Sequence, residues 1–334
     1  MQLTEFWARI KQKKINQKDL TIAILVFIIL ALVFFGWYYF RAKRNPLDID
    51  VLAPGAKYRY LFSIYDPENL RRPLGVTVSP WGDVLIADSV NHRIAVFDRN
   101  GGFKKTLGGP GSGAGQFNYP SGVAVSGKKI YVADFYNQRV QVIDFDGKQL
   151  SVIPSARDRQ KVGPSVMPVT VTTDRSGNLY VSDLSLQRIL VFNDAGKFIR
   201  SFGRAGSNPG ELSYVNGIAV DDDGDGRIYL SNSNNGRVDE YTMDGRFVKT
   251  ISGSRVLTNP KGITFDRDNH RVYVADTFAH QIFGIGTDGN VFENIGKRGI
   301  DSGGFNFPTA VATDDEGRLY IADRENNRVE VYAR

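Results

Sequence analysis

The 334-residue chain contains no cysteine and only three histidines, His92, His270 and His280. Without thiols there can be no disulfide framework, thiolate metal site, cysteine nucleophile or thioether-bound haem. No serine stands in a Gly-x-Ser-x-Gly elbow, and no Gly-rich loop ends in the Lys-Ser/Thr pair that holds a phosphate. Charge of one sign is also scarce over most of the length. The formal +6 resides near the start, where residues 1–46 hold 8 Lys+Arg against 2 Asp+Glu, and the remainder holds 34 of each. A basic field suited to nucleic acid is therefore missing from the bulk of the chain, and the positive excess lies where a membrane surface would be.

One long apolar run is present. Leu20 to Phe40 reads LTIAILVFIILALVFFGWYYF, 21 residues without a charge, long enough at roughly 1.5 Å per residue to cross a bilayer core once. It ends in aromatics that settle at a headgroup interface, followed by Arg41, Lys43 and Arg44. Its length and the lack of a small-x-small cleavage site favour an uncleaved anchor over a signal peptide. The leading tail carries Arg9, Lys11, Lys13, Lys14 and Lys18, so the tail is expected in the cytoplasm and the rest of the chain outside the cell membrane. The expected organisation is a basic tail over 1–19, a transmembrane helix over 20–40, a stalk over 41–57 and one large domain over 58–334.

Within that domain one phrase recurs six times. An apolar strand ends at Asp88 (VLIAD), Asp134 (IYVAD), Asp183 (LYVSD), Asn232 (IYLSN), Asp276 (VYVAD) and Asp323 (LYIAD), in steps of 46, 49, 49, 44 and 47 residues. Five residues after each comes Arg93, Arg139, Arg188, Arg237, Gln281 or Arg328. Short β-branched and aromatic runs between Gly, Asn and Asp turns, with no helical period, predict small antiparallel sheets. In the second copy, strands are expected around GVAV, IYVAD, RVQVID and GKQLSVI. Such a sheet cannot cover both its faces alone, but six arranged radially cover one another, giving an all-β six-bladed propeller around a channel. The sixth copy ends at Arg334 after its third strand, and Tyr58 to Tyr65 (YRYLFSIY) precedes the first copy without a blade of its own. Pairing the two would close the ring and hide a sheet edge.

The phrase Asp-x-x-Asn-x-Arg-Val, at Asp88 to Ile94, Asp134 to Val140 and, with one acidic change, Asp323 to Val329, resembles the NHL repeat. The connectors GGPGSGAGQFNYP, GRAGSNPGELSYV and GKRGIDSGGFNFP are similar to the Gly-rich segment of that family. The resemblance covers about residues 58–334, does not extend to the tail or the anchor, and implies a six-bladed propeller used for ligand binding or assembly; together with the anchor it suggests a membrane-anchored bacterial type.

A residue repeated in every blade cannot mark a unique reactive centre, so Asp88, Asp134, Asp183, Asp276 and Asp323, with Arg93, Arg139, Arg188, Arg237 and Arg328, are read as scaffold that pairs and satisfies backbone groups. Phe117, Leu212 and Phe305 are read as plugs between blades. Departures from the repeat are more informative. The turns between second and third strands share a face with the blade-to-blade connectors, and on that face His92, Phe135, Tyr136, Asn232, Phe278, His280 and Gln281 form the candidate ligand patch, the alternative being ordinary half-exposed turn residues. Zinc held by three histidines, as the resemblance to peptide-amidating lyases would imply, is disfavoured because His270 falls on the opposite face, and ligands must converge within about 2 Å of one ion. Asp221, Asp223 and Asp225 in DDDGDGRIYLSN have the spacing of an EF-hand start, but the twelfth position is Asn232 rather than Glu, leaving at most a weak calcium site or a solvated hairpin. No other cofactor is indicated. The leading functional reading is a membrane-tethered extracytoplasmic scaffold that recognises a membrane-proximal protein, peptide or glycan. The alternatives are a metal-dependent propeller hydrolase or lyase, and the sensor subunit of a signalling complex. Nucleic acid is not expected as a partner.

Overall fold

The computed structural model describes residues 58–65 and 70–334, with Leu25, Val26, Ile28 to Leu30, Leu32 and Val33. The tail and the stalk lie outside the described residues. The described members of the apolar run are helical with exposed side chains, and among the described residues no helix is long and apolar enough to cross a membrane.

The domain is a ring of six four-stranded antiparallel sheets. β1 (Arg59–Ile64) stands apart. β2 (Pro73–Val78), β3 (Val84–Asp88), β4 (Arg93–Phe97) and β5 (Phe103–Leu107) form the first blade in chain order. The next four blades repeat the pattern, starting at Pro120, Pro168, Val215 and Pro260. In the sixth, Pro308–Thr313, Leu319–Asp323 and Arg328–Ala333 are completed by β1 as the outer strand. Arg59 pairs with Ala333 and Ile64 with Val329, with a bulge between Tyr60 and Phe62. The expected closure is therefore present.

Burial explains why the second strands read as continuous apolar runs. All five residues of β3 are buried, as are those of Leu179–Asp183 and Leu319–Asp323, because each sheet is covered on both faces by its neighbours. The core accordingly lies between blades. Leu85, Ile94 and Val96 of the first blade pack with Val123, Ile130 and Val132 of the second, and Ile64 joins Val84, Ile86, Tyr320 and Val331 across the closure. Phe117, Leu212 and Phe305 are fully buried in these inter-blade clusters. The first strands crowd the axis, and glycine permits their approach. A Cβ on Gly262 would lie 2.3 Å from Ala310 Cα, and one on Gly217 would lie 2.2 Å from the Lys261 carbonyl oxygen.

Two local features were not expected. The connector SARDRQKVGPSVMP contains a helical turn at Arg159–Val162, held by the buried Asp158, which accepts from Ser155 Oγ at 2.8 Å. The Gly-rich connectors fold back on themselves in parallel pairings, Pro110 with Phe117, Ala205 with Leu212 and Lys297–Arg298 with Gly304–Phe305.

Candidate functional site

The upper face carries the turns between second and third strands together with the blade-to-blade connectors, and it is organised by the repeated carboxylates. Asp88, Asp134, Asp183 and Asp323 are fully buried. Each accepts the Nε–H of its partner arginine, at 2.7 Å from Arg93, 2.8 Å from Arg139, 3.0 Å from Arg188 and 3.1 Å from Arg328. Each also accepts a connector amide, from Arg71, Asn118, Met167 and Asn306 respectively. One carboxylate thus ties an incoming connector to the second and third strands, satisfying backbone donors that would otherwise be buried unpaired.

Two blades depart from this scheme. In the fifth, Gln281 replaces arginine and its Nε2 donates to the Gly296 carbonyl at 3.2 Å, while Asp276 takes the Thr258 hydroxyl at 2.6 Å and the amides of Thr258, Asn259 and Ala279. In the fourth, Asn232 is fully buried. It accepts the Ser213 amide and donates to Asp239 Oδ2 at 2.9 Å. Asn232 is therefore no ligand contact, since both ends of its amide are engaged inside the blade.

The two upper-face histidines also serve the backbone. His92 and His280 adopt left-handed conformations at φ 56° and 55°. Their Nδ1 atoms accept the amides of Tyr119 at 3.0 Å and Phe307 at 3.2 Å, each from the following connector. Gln187 Oε1 does the same for Tyr214, and Asn327 Oδ1 for Arg72. Nδ1 of His280 also lies 3.2 Å from the Phe305 carbonyl oxygen, so this imidazole touches the following connector at two backbone groups. His280 is buried and His92 half-buried, and both of these members of the candidate ligand patch act as inter-blade braces.

What faces solvent is aromatic. Tyr136 is 60% exposed and Phe278 62% exposed. Tyr136 packs on Phe135 at 5.1 Å and on Tyr119 at 5.4 Å between ring centroids. Phe278 packs on Phe307 at 6.3 Å, and Phe307 on His280 at 4.7 Å. Tyr119, Tyr214 and Phe307 hold positive φ angles of 63°, 59° and 57°, a costly conformation for aromatic residues that persists because the surrounding braces impose it. None of these three was singled out from sequence, although their matching place at the end of the three Gly-rich connectors was a visible signal.

Behind this face lies the axial channel, enclosing about 290 Å³ and lined by Thr77, Ser121, Thr170, Asn216, Thr264 and Thr313 among others, with no carboxylate or imidazole. Near its upper end stand Lys261, on the fifth innermost strand, and Arg324, on the sixth-blade turn. The guanidinium of Arg324 lies over Phe307 at 5.5 Å.

On the lower face, Asp221, Asp223 and Asp225 border a shallow hollow with His270, Lys249 and Glu240. The hairpin is a clasp between blades. Asp223 is ion-paired with Arg175 and Arg267, and Asp222 accepts the Arg175 amide at 2.5 Å and an Arg267 N–H at 2.7 Å. Burial opposes ionisation of Asp222, yet these donors hold its carboxyl below the usual range. Among the described residues no three His, Asp or Glu side chains are grouped to hold a metal ion, and Arg175 and Arg267 bridge the hairpin to the third and fifth blades.

Models of the NHL repeat match residues 70–97, 117–143 and 305–332, and one described as a 6-bladed beta-propeller matches residues 168–259. NHL repeat-containing protein 2 of Bos taurus is 32% identical over 136 residues, 36% of this chain and 17% of that protein. Protein brain tumor of Drosophila melanogaster is 32% identical over 112 residues, 32% of this chain and 10% of that protein. The chain therefore matches less than a fifth of either relative's length. A gluconolactonase of Xanthomonas campestris superposes with a TM-score of 0.59 at 15% identity, covering 81% of this chain and 87% of that one. A streptogramin B lyase superposes with a TM-score of 0.56 at 14% identity, covering 83% and 97%. At such identities the likeness to the two enzymes shows the fold alone.

Proposed function

Starting from a six-bladed propeller built of NHL repeats, we propose that this protein is a membrane-tethered extracytoplasmic binding module whose aromatic upper face takes a protein or peptide partner. The observation that carries the reading is two exposed aromatics on this face, Tyr136 of the second blade and Phe278 of the fifth, each backed by further rings. Rings of this kind, immobilised in advance, supply contact area at little entropic cost and dominate protein recognition surfaces. Tethering rests on the uncharged run Leu20 to Phe40 and its basic flanks. A stalk over 41–57 would keep the propeller within roughly 60 Å of the bilayer, which favours a membrane-proximal partner.

A metal-dependent hydrolase or lyase would need ligands converging on the axis, and the channel lining supplies hydroxyls, amides, aliphatic groups, Phe265 and Arg267 instead. The test is site-specific photocrosslinking in intact membranes from position 136 or 278, with lower-face position 244 as control. A discrete adduct from the two upper positions, absent from the control and lost when the other aromatic is changed to serine, is expected. Adducts of equal yield from position 244, or none from 136 and 278, would overturn the reading. Protease digestion of intact spheroplasts tests the orientation, since an extracytoplasmic propeller is cut and a cytoplasmic one is protected.

A further inference from the structure

Lys261 and Arg324 stand near the upper end of the channel, since Gly262 packs against Ala310 of the next innermost strand and Pro308 of that strand pairs with Asp323, the neighbour of Arg324. Lys261 stands second in the innermost strand Pro260–Asp266, and four of its five counterparts, Leu74, Ser121, Asn216 and Thr309, border the axial cavity. No hydrogen bond or ion pair of its ammonium is found among the described residues, and the charge acting on it is that of Arg324, which is like its own. Burial first, and Arg324 second, push the Lys261 ammonium down to about 8.

Arg324 is itself only partly satisfied. Its Nη2 lies 2.9 Å from Glu325 Oε1, and the other oxygen of Glu325 is 3.2 Å from Arg72 Nη2, so this carboxylate is shared between two guanidiniums. Arg324 Nε is buried and has no hydrogen-bond partner. A desolvated cation and a buried, unused N–H donor are costly unless an acceptor reaches them. The same guanidinium covers one face of Phe307, and Phe278 packs against the edge of that ring. An anionic position is thus set beside an exposed apolar one.

We propose that this corner of the channel mouth binds the carboxylate of a peptide C-terminus, with Lys261 and Arg324 holding the anion and Phe278 and Phe307 receiving an apolar or aromatic terminal side chain. The inference rests on the reading of the upper face as a peptide-binding surface and names the ligand chemistry that this face selects. A carboxylate completes both open donors at once. The ring pair explains a peptide terminus better than an inorganic anion, which would leave Phe278 uncovered.

The test uses the full chain in detergent and N-acetyl-phenylalanine as probe, with its C-terminal amide and glucuronate as comparisons, followed by calorimetry or ligand-observed magnetic resonance. The carboxylate is expected to bind at least about tenfold more tightly than the amide, the factor for one charge-assisted hydrogen bond. Lys261→Met, which keeps the apolar stem, should lower affinity by at least about tenfold, and Lys261→Arg should retain most of it. Equal binding of acid and amide, no loss in Lys261→Met, or no binding of the acid at millimolar concentration would overturn the proposal. Glucuronate binding as tightly as the peptide acid would also overturn it, reassigning the corner to acidic sugars. Photocrosslinking that succeeds while this titration fails leaves the upper-face reading intact and removes only the carboxylate. Failure of both removes the surface itself.

Discussion

Asn232 Nδ2 donates to Asp239 Oδ2 at 2.9 Å, and Arg237 Nε donates to that same oxygen at 2.8 Å. The fourth blade thus keeps the ion pair of its neighbours by moving the carboxylate from the end of the second strand to the middle of the third. Asp239 is fully buried and its other oxygen accepts the Thr250 hydroxyl at 2.6 Å.

This relocation predicts a specific mutational pattern. Asp239→Asn should cost about 3–5 kcal/mol, the usual consequence of leaving one member of a buried pair without its counter-charge. Asn232→Asp alone should also destabilise, since it buries a second carboxylate beside the first. The double variant, which restores the arrangement of the other blades, should recover a large part of the loss. Urea unfolding of the four proteins provides the cycle, and strictly additive losses would contradict the shared-arginine account.

The histidine braces make a second prediction. Because Gln187 Oε1 holds Tyr214 as His280 Nδ1 holds Phe307, His280→Gln should change stability by no more than about 0.5 kcal/mol. His280→Ala should cost about 1–3 kcal/mol by stranding the Phe307 amide. If thermal unfolding places the glutamine variant with the alanine one, the imidazole has a further role.

A third prediction concerns pH. Glu330 sits at the closure, accepting from Ser63 Oγ at 2.7 Å, with its other oxygen 2.7 Å from Arg328 Nη2. Burial dominates over Arg328 and pushes its carboxyl from 4.5 up to about 7, and burial moves Asp323 in the same direction. A carboxyl raised on folding binds more protons in the native state than in the unfolded one. Its stabilising contribution is therefore complete below about pH 4.5 and is lost as pH rises through about 7. Glu330→Gln should flatten the difference between urea midpoints measured at pH 5 and pH 8, whereas an unchanged difference would assign the pH response elsewhere.

The closure itself predicts a size effect. Ile64 is fully buried between the last and first blades, so Ile64→Ala should cost about 2–5 kcal/mol. Val248→Ala, on an outer strand and 43% exposed, should fall within about 0.5 kcal/mol. Equal losses in chemical denaturation would mean that the ring is not held at this seam.

Six blades, their strand order and the pairing of residues near Tyr58 with the chain's last strand were legible because each follows from a repeated spacing and from an edge left over at each end. The scaffold role of the Asp and Arg series followed from repetition alone. The site was less legible. Asn232 and His280 look like departures from the repeat and hence like function, but the partners that absorb them, Asp239 and the Phe307 amide, are fixed by strand register and by the next blade's connector. The Asp221 to Asp225 hairpin has a ligand-like spacing, and only the approach of Arg175 and Arg267 from the blades on either side turns it into an ion-paired clasp.

Local periodicity and turn chemistry are properties of short segments, so the sequence by itself determined the repeat, the sheet type and the need for a closed ring. Which polar groups are satisfied depends on neighbours as much as 267 residues away, as with Ser63 and Glu330. Tertiary structure alone therefore decided that the histidines brace backbone, that the exposed aromatics share the upper face, and that Arg324 Nε is buried without an acceptor.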